Sequence, residues 1–236
     1  MTDDLNGETD MGLLGSGAVA IWHDITPETR GDFFAWHGSE HMPERVAIPG
    51  FHRGRRYVAI DADLEFFNLY ETASPSVLTS EAYRARLNDP TPWTKRAVLG
   101  FRNVARALCR VKTTVGAGQG GLIATWRYHL AGDGTGHDDA LQTALKPLDD
   151  PEVTAGVHVL AADDAASGEI NAEEKARGAR NDVPGRVVMV EGWGDVDDLV
   201  RACRTTLAED TLIKAGADAG TVRFGVYRLQ ATVSDA

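Results

Sequence analysis

The sequence holds only two cysteines, Cys109 and Cys203, among 236 residues. That excludes a disulfide framework and a cysteine-rich zinc site, and it fits a reducing, cytoplasmic compartment. No apolar run reaches the roughly 20 residues that a membrane helix needs, so no membrane partner is expected. The opening "MTDDLNGETDMG" is acidic and polar, unlike a secretory or transit signal, and residues 1–16 read as a loose tail. Basic residues are outnumbered, 24 Lys and Arg against 35 Asp and Glu, for a net charge of −11. Nucleic-acid binding requires a dominant basic surface and is set aside. The deficit is uneven: residues 1–116 carry −2 and the remainder −9. The arginines that cluster, "RGRR" at 53–56 with Arg96, Arg102, Arg106 and Arg110, lie in the first part. There they either hold an anionic group or solvate strand and helix faces.

What is present is a globular composition, 43% hydrophobic and 25% charged, with strand and helix signals in alternation. "GAVAIWHDI" (17–25) reads as a strand, and Thr26-Pro27-Glu28 as a helix start. A helix through "RGDFFAWHGSEHMPERVA" ends at the breaker "IPGF". "HRGRRYVAI" and "EFFNLYETA" read as strands joined by "DADL". "SEAYRARL" is helical with Ser80 as cap. After "NDPTPW" a further helix leads into the strand "RALCRVKTTV". The order is β-α-β-β-α-β.

The second half repeats it. "GLIATWRYHL" (121–130) matches the first strand, placing Trp126 on Trp22, both read as core. A shift of 120 puts Glu71 on Glu191, Ala82 on Ala202, Arg84 on Arg204 and Leu87 on Leu207. A shift of 118 aligns Arg110 with Arg228. The ordered matches predict two tandem ferredoxin-like units, 17–115 and 122–233, joined by the Gly-rich linker 116–121. Such a unit carries helices on one face of its four-stranded sheet, so the other face needs a partner. An α+β fold with the two sheets packed face to face as an α/β barrel is expected, by intramolecular pairing. A homodimer is then less compelled. The polar stretch 161–185 interrupts the second unit and reads as an exposed, mobile hairpin loop.

The segment "EHMPERVAIPGFHRGRRY" (40–57), with its H-x-P, P-G-F and R-R-Y pattern, resembles the dimeric α/β-barrel superfamily and its EthD-like members; "NLYE" (68–71) supports it. The second half lacks this motif, so the resemblance implies one functional and one degenerate half. It also implies a small-molecule protein, since the superfamily includes isomerases, cyclases, cofactor-free monooxygenases and haem enzymes.

Carried over from the H-x-P motif, the acid–base residue is His41. An imidazole titrates near neutrality, which suits that role. His37, four residues earlier, shares its helical face, while the adjacent Glu40 points about 100° away. Pro43 removes the hydrogen bond to Ser39 and predicts a kink. The catalytic candidates are thus His41, His37, His23 and Glu40. A packed histidine that bonds backbone is the plain alternative. Arg56, Tyr57, Tyr70 and Trp93 are the substrate-binding candidates, Trp93 as part of a closing loop. Alternation puts His52, Arg56 and Val58 on one strand face and Arg53, Arg55 and Tyr57 on the other. The residues 37–41 also spell H-x-x-E-H, the inverted zinc-protease motif, which needs a longer uninterrupted helix. A simpler metal site of His23, His37 and His41, or haem, is the other cofactor reading; no cofactor is the leading one. His129, His137 and His158 have no motif around them. The leading function is His-based acid–base chemistry (isomerase, cyclase, lyase or cofactor-free oxygenase) on an aromatic or planar, anionic substrate. A non-catalytic ligand-binding or assembly protein is the alternative.

Overall fold

The computed structural model describes residues 12–116, 118–148 and 150–235. Its strands are β1 (Gly17–Ile25), β2 (Phe51–Asp61), β3 (Phe66–Thr72), β4 (Phe101–Val115), β5 (Leu122–Tyr128), β6 (Thr154–Ala162), β7 (Arg186–Gly192) and β8 (Arg223–Ser234). They close into one antiparallel barrel in the order β1-β3-β2-β8-β5-β7-β6-β4. The expected pair of stacked sheets is instead a single continuous sheet, because β2 bonds β8 and β4 bonds β6 at the two seams. Closure leaves no unpaired strand edge within the barrel.

The helices all lie outside. Between β1 and β2 run α1 (Arg30–Trp36), a π-helical turn (His37–His41) and α2 (Met42–Val46). Next come α3 (Glu81–Asn88) and α4 (Pro92–Ala97) before β4, and α5 (His137–Leu145) before β6. Two short helices, α6 (Asp164–Ser167) and α7 (Ala172–Arg177), precede β7; α8 (Val196–Thr206) and α9 (Glu209–Lys214) precede β8. Local chemistry sets their starts. The Ser80 hydroxyl accepts the Tyr83 N–H, and the Thr91 hydroxyl accepts the Thr94 N–H with Pro92 in the first turn. Among the described residues no helix is long and apolar enough to cross a membrane.

Strands buried on both faces follow from this layering: every residue of β3 and β5 is buried. Inside the barrel, Ala18, Ala20, Trp22, Phe67 and Leu69 meet Ile123, Leu160, Met189 and Tyr227 from the other half. Each fully buried large side chain contributes about 1.5–3 kcal/mol of transfer free energy. The two tryptophans matched by sequence do not occupy equivalent faces. Trp22 lies inside and donates its indole N–H to Thr125, whereas Trp126 packs outward beneath the second set of helices. A one-residue slip in a strand reverses its face, so the match of Trp126 to Trp22 is not one of structural position.

Charge is also buried in the barrel. Arg55 spans the two halves, donating to both carboxylate oxygens of Glu191 at 2.9 Å and lying 3.0 Å from Glu71. Arg53 holds Glu71 through two hydrogen bonds of 2.9 and 2.6 Å. The glutamates matched at a spacing of 120 therefore meet on one guanidinium. The linker is pinned to this network, since Gly120 N–H donates to Glu191 at 3.0 Å. A Cβ on Gly120 would sit 2.1 Å from the Gly192 carbonyl, which is why a side chain is not tolerated there. Of the expected loose tail, residues 1–11 lie outside the described residues; Leu13 packs in the barrel and the Leu14 N–H donates to Glu71.

The polar stretch 161–185 is not an exposed loop. Asp163 and Ser167 bond the backbone of Leu108, Asp182 forms a parallel bridge with Ala105, and α7 packs against α3 and α4. It is a lid over the helical side of the first half. Composition misled because the docking contacts are polar ones, with Ser167, Asn171 and Glu174 buried.

Candidate functional site

The π-helical turn coincides with the H-x-x-E-H residues 37–41. Met42 N–H reaches the His37 carbonyl five residues back, so one extra residue is accommodated and the helix runs on through Pro43 to Val46. Such turns recur at functional sites because they re-aim side chains that a regular helix would rotate away. Here they aim His37 and His41 together at the outer face of β2 and β3. Their rings stack at 5.4 Å between centroids, and Trp36 covers His41 at 4.4 Å.

His37 is fully engaged. Its Nδ1 accepts from the Arg56 guanidinium at 3.2 Å, which puts its proton on Nε2, 3.4 Å from the Tyr70 hydroxyl. His41 differs: its Nδ1 is buried without any partner among the described residues. It also keeps 8% exposure where His37 keeps 2% and His23 none. Burial holds both His37 and His41 well below the ordinary histidine range. Nearby guanidinium charge adds to it, from Arg56 at His37 and Arg45 at His41. Both are therefore neutral at pH 7.

Arg45, one turn beyond His41 on the same helix, belongs to the site and was missed by sequence. It is buried and pairs with Glu173 of α7, while its Nη1 has no partner among the described residues. Its spacing of four from His41 was the available signal. Tyr70 lies beside His37, its hydroxyl pushed above the ordinary tyrosine range by burial. Arg56 does too, clamped by Gln230 at 2.7 Å and stacked over Phe34.

Four sequence candidates are placed elsewhere. Tyr57 points into the barrel and stacks on Phe67, on the opposite sheet face from His41. Glu40 accepts hydrogen bonds from Thr91 at 2.6 Å and Thr94 at 3.3 Å, so it ties α4 to the π turn and does not serve a histidine. Trp93 donates to Asp32 at 3.0 Å and clamps α4 onto α1. His23 sits in an aromatic box of Phe33, Phe66 and Phe101, and Asn68 donates to its Nε2 at 2.9 Å.

The donor set does not fit the three-histidine metal site of His23, His37 and His41. Among the described residues no three His, Cys, Asp or Glu side chains converge as ligands. Physically, His23 has its Nε2 taken by Asn68, and His37 faces a guanidinium where a cation would have to sit. The inverted-protease pattern fails likewise, since its glutamate is bound to threonines and its helix is not regular.

The segment 163–182 is tied to α2 through the Arg45–Glu173 pair. Glu173→Gln should loosen it, because a buried guanidinium loses its charged partner at a cost of about 2 kcal/mol. Amide hydrogen exchange across 163–182 should then accelerate roughly tenfold or more, by the free energy lost. Unchanged exchange would mean that the backbone contacts at Leu108 and Ala105 hold the lid alone.

No family model and no curated protein sequence matches the chain. Solved structures do. An anthrone oxidase-like protein matches with TM-score 0.56 at 14% identity, over 94% of this chain and 93% of that one. A candidate monooxygenase from Fusobacterium nucleatum matches with TM-score 0.55 at 8% identity, over 94% and 96%. One from Lactobacillus acidophilus matches with TM-score 0.54 at 7% identity, over 93% and 96%. At such identities the likeness is one of fold: the α/β barrel implied by the sequence resemblance is shared along nearly the whole chain.

Proposed function

We propose that this protein is a small-molecule enzyme in which His41 removes a proton from an aromatic or planar substrate, in oxygenase-type chemistry. The observation that carries the reading is the buried, neutral His41 imidazole with an unpartnered Nδ1 beside an Arg45 with an unpartnered Nη1. Unpaired buried polar groups are costly, and two of them one helical turn apart support a substrate that completes them. An imidazole of lowered pKa is a weak base, so the proton it takes must be acidic, as on a carbon between an aromatic ring and a carbonyl. Arg45 would stabilise the enolate oxygen that forms, and Arg56 with Tyr70 would hold His37 beneath it. The anionic oxygen would take the place of Glu173 on Arg45 when the lid opens.

The names of the fold neighbours suggest the next step. In an anthrone-type oxidation the methylene carbanion is oxidised by dioxygen, which needs no cofactor to balance. The carbon loses two hydrogens and gains one oxygen atom, and the second oxygen atom leaves as water. The EthD-like motif and a duplicated ancestry belong to the same reading. Both halves run their strands in the order fourth, first, third, second, and Glu71 and Glu191 occupy matching places. Only the first half bears His37 and His41. Both cysteines are buried and free, which accords with the cytoplasmic location proposed.

Oxygen uptake with anthrone and related enolisable aromatics tests the proposal. Wild-type protein should consume oxygen, and His41→Ala should lower the rate by about 100-fold or more, the usual contribution of a general base. Its folding should be unaffected. Binding of these compounds without turnover would instead support a ligand-binding protein, and an equal rate in His41→Ala would remove His41 as the base.

A further inference from the structure

Away from His41, a cleft of about 800 Å³ opens where the barrel mouth meets the end of the lid. That volume is in the range of small-molecule sites. Its walls hold four arginines: Arg102 and Arg127 from the barrel, Arg177 and Arg180 from the lid. Two aspartates also line it, and both are occupied. Asp63 binds Arg127 through two hydrogen bonds of 3.0 and 2.6 Å, and Asp182 lies 3.2 Å from the His129 ring. Arg102 meets only the carbonyls of Leu99 and Phe101, and Arg177 only Ala179 and Asn181; neither these two nor Arg180 forms an ion pair among the described residues. The rest of the lining is apolar apart from Asn103, whose amide donates to Asp24 at 2.8 Å, and Leu99 is left 54% exposed beside Phe101. In a chain of net charge −11 a concave surface with three unpaired guanidiniums runs against the overall field.

We infer that this cleft is a second binding site, for an aromatic carboxylate or a similar planar anion. The guanidiniums give bidentate recognition of the acid, and Leu99 and Phe101 take the ring. Since two arginines come from the barrel and two from the lid, an occupant bridges them and holds the lid shut. The site is independent of the His41 chemistry, because the cleft lining contains neither His37, His41 nor Arg45.

Titration calorimetry of the full chain with 2-naphthoate tests this. Saturable binding is expected, weakened tenfold or more in the double variant Arg102→Ala/Arg180→Ala, whose side chains are exposed and carry no packing. Uncharged 2-naphthylmethanol should bind at least tenfold more weakly than the acid. His41→Ala should bind the acid as wild type does. Trypsin cleavage after Lys175, which is exposed on α7, should slow when 2-naphthoate is present. Absence of saturable binding would overturn the inference. So would binding indifferent to the double variant, and if that binding were lost in His41→Ala the acid would be sitting in the proton-transfer site instead.

Discussion

Arg55→Met is expected to cost about 3–5 kcal/mol, the range for removing one partner of a buried ion pair. Arg55 is 1% exposed and, among the described residues, is the one group that bonds both Glu71 and Glu191. Glu71 would keep Arg53, but Glu191 would keep only the Gly120 N–H and the His158 ring at 3.4 Å. A carboxylate would then stay buried in the middle of the barrel with no cation on it. Burial alone would raise the Glu191 pKa; Arg55 and the His158 ring together outweigh it and hold it down to about 2. Adding Glu191→Gln to Arg55→Met removes the orphaned charge, so the double variant should be more stable than Arg55→Met alone. Urea unfolding of the single and double variants measures the coupling. Additive losses would mean that the two halves are joined by packing and strand pairing, with the ion network contributing little.

Acid should erode the stability of the protein over two pH windows. His23 is buried in its aromatic box, and burial lowers its pKa from 6.5 to about 3. The folded state therefore refuses a proton that the unfolded chain accepts below pH 6.5. Stability is fully present above that pH and is lost as pH falls towards 3: about 2 kcal/mol from His23 alone at pH 5, and about 4–5 by pH 3. His37 and His41, lowered by burial as well, add losses of the same sign. Glu191 then contributes over a lower window, its share being lost as pH falls from about 4.5 through about 2. Against a usual total of about 5–15 kcal/mol, the loss at His23 alone is a substantial share by pH 5. The urea midpoint should fall steeply between pH 7 and pH 5. A midpoint constant over that interval would show that water reaches these rings and that they titrate as ordinary histidines.

Much of the fold was legible because it rests on local signals. The order of strands and helices, the Ser80 cap and the Glu71–Glu191 match follow from periodicity and spacing. The joining of the two sheets at their edges was not legible, because hydrogen bonding between β2 and β8 or β4 and β6 leaves no mark on composition. The same gap hid the faces of β2: alternation separated Arg56 from Tyr57 correctly, but only closure shows that Tyr57 looks inward and Arg56 towards His37. At the site, His37 and His41 were readable from the motif. Arg45 was not, since its partner Glu173 lies 128 residues away in a stretch whose polarity suggested solvent. The expectation that activity should titrate near neutral pH also changes. With the His41 pKa lowered by burial, its base form is present at pH 7 and persists below pH 6.5, so the rate should fall only at lower pH.

The most direct measurement is an NMR titration of the His41 ring in the full-length, nitrogen-15-labelled protein, assigned by its loss in His41→Ala. The predicted result is a neutral imidazole in a single tautomer from pH 8 to below pH 6, with no change of state near 6.5. A His41 that gains its proton around pH 6.5 or above would contradict the buried, neutral base on which the proposed chemistry depends.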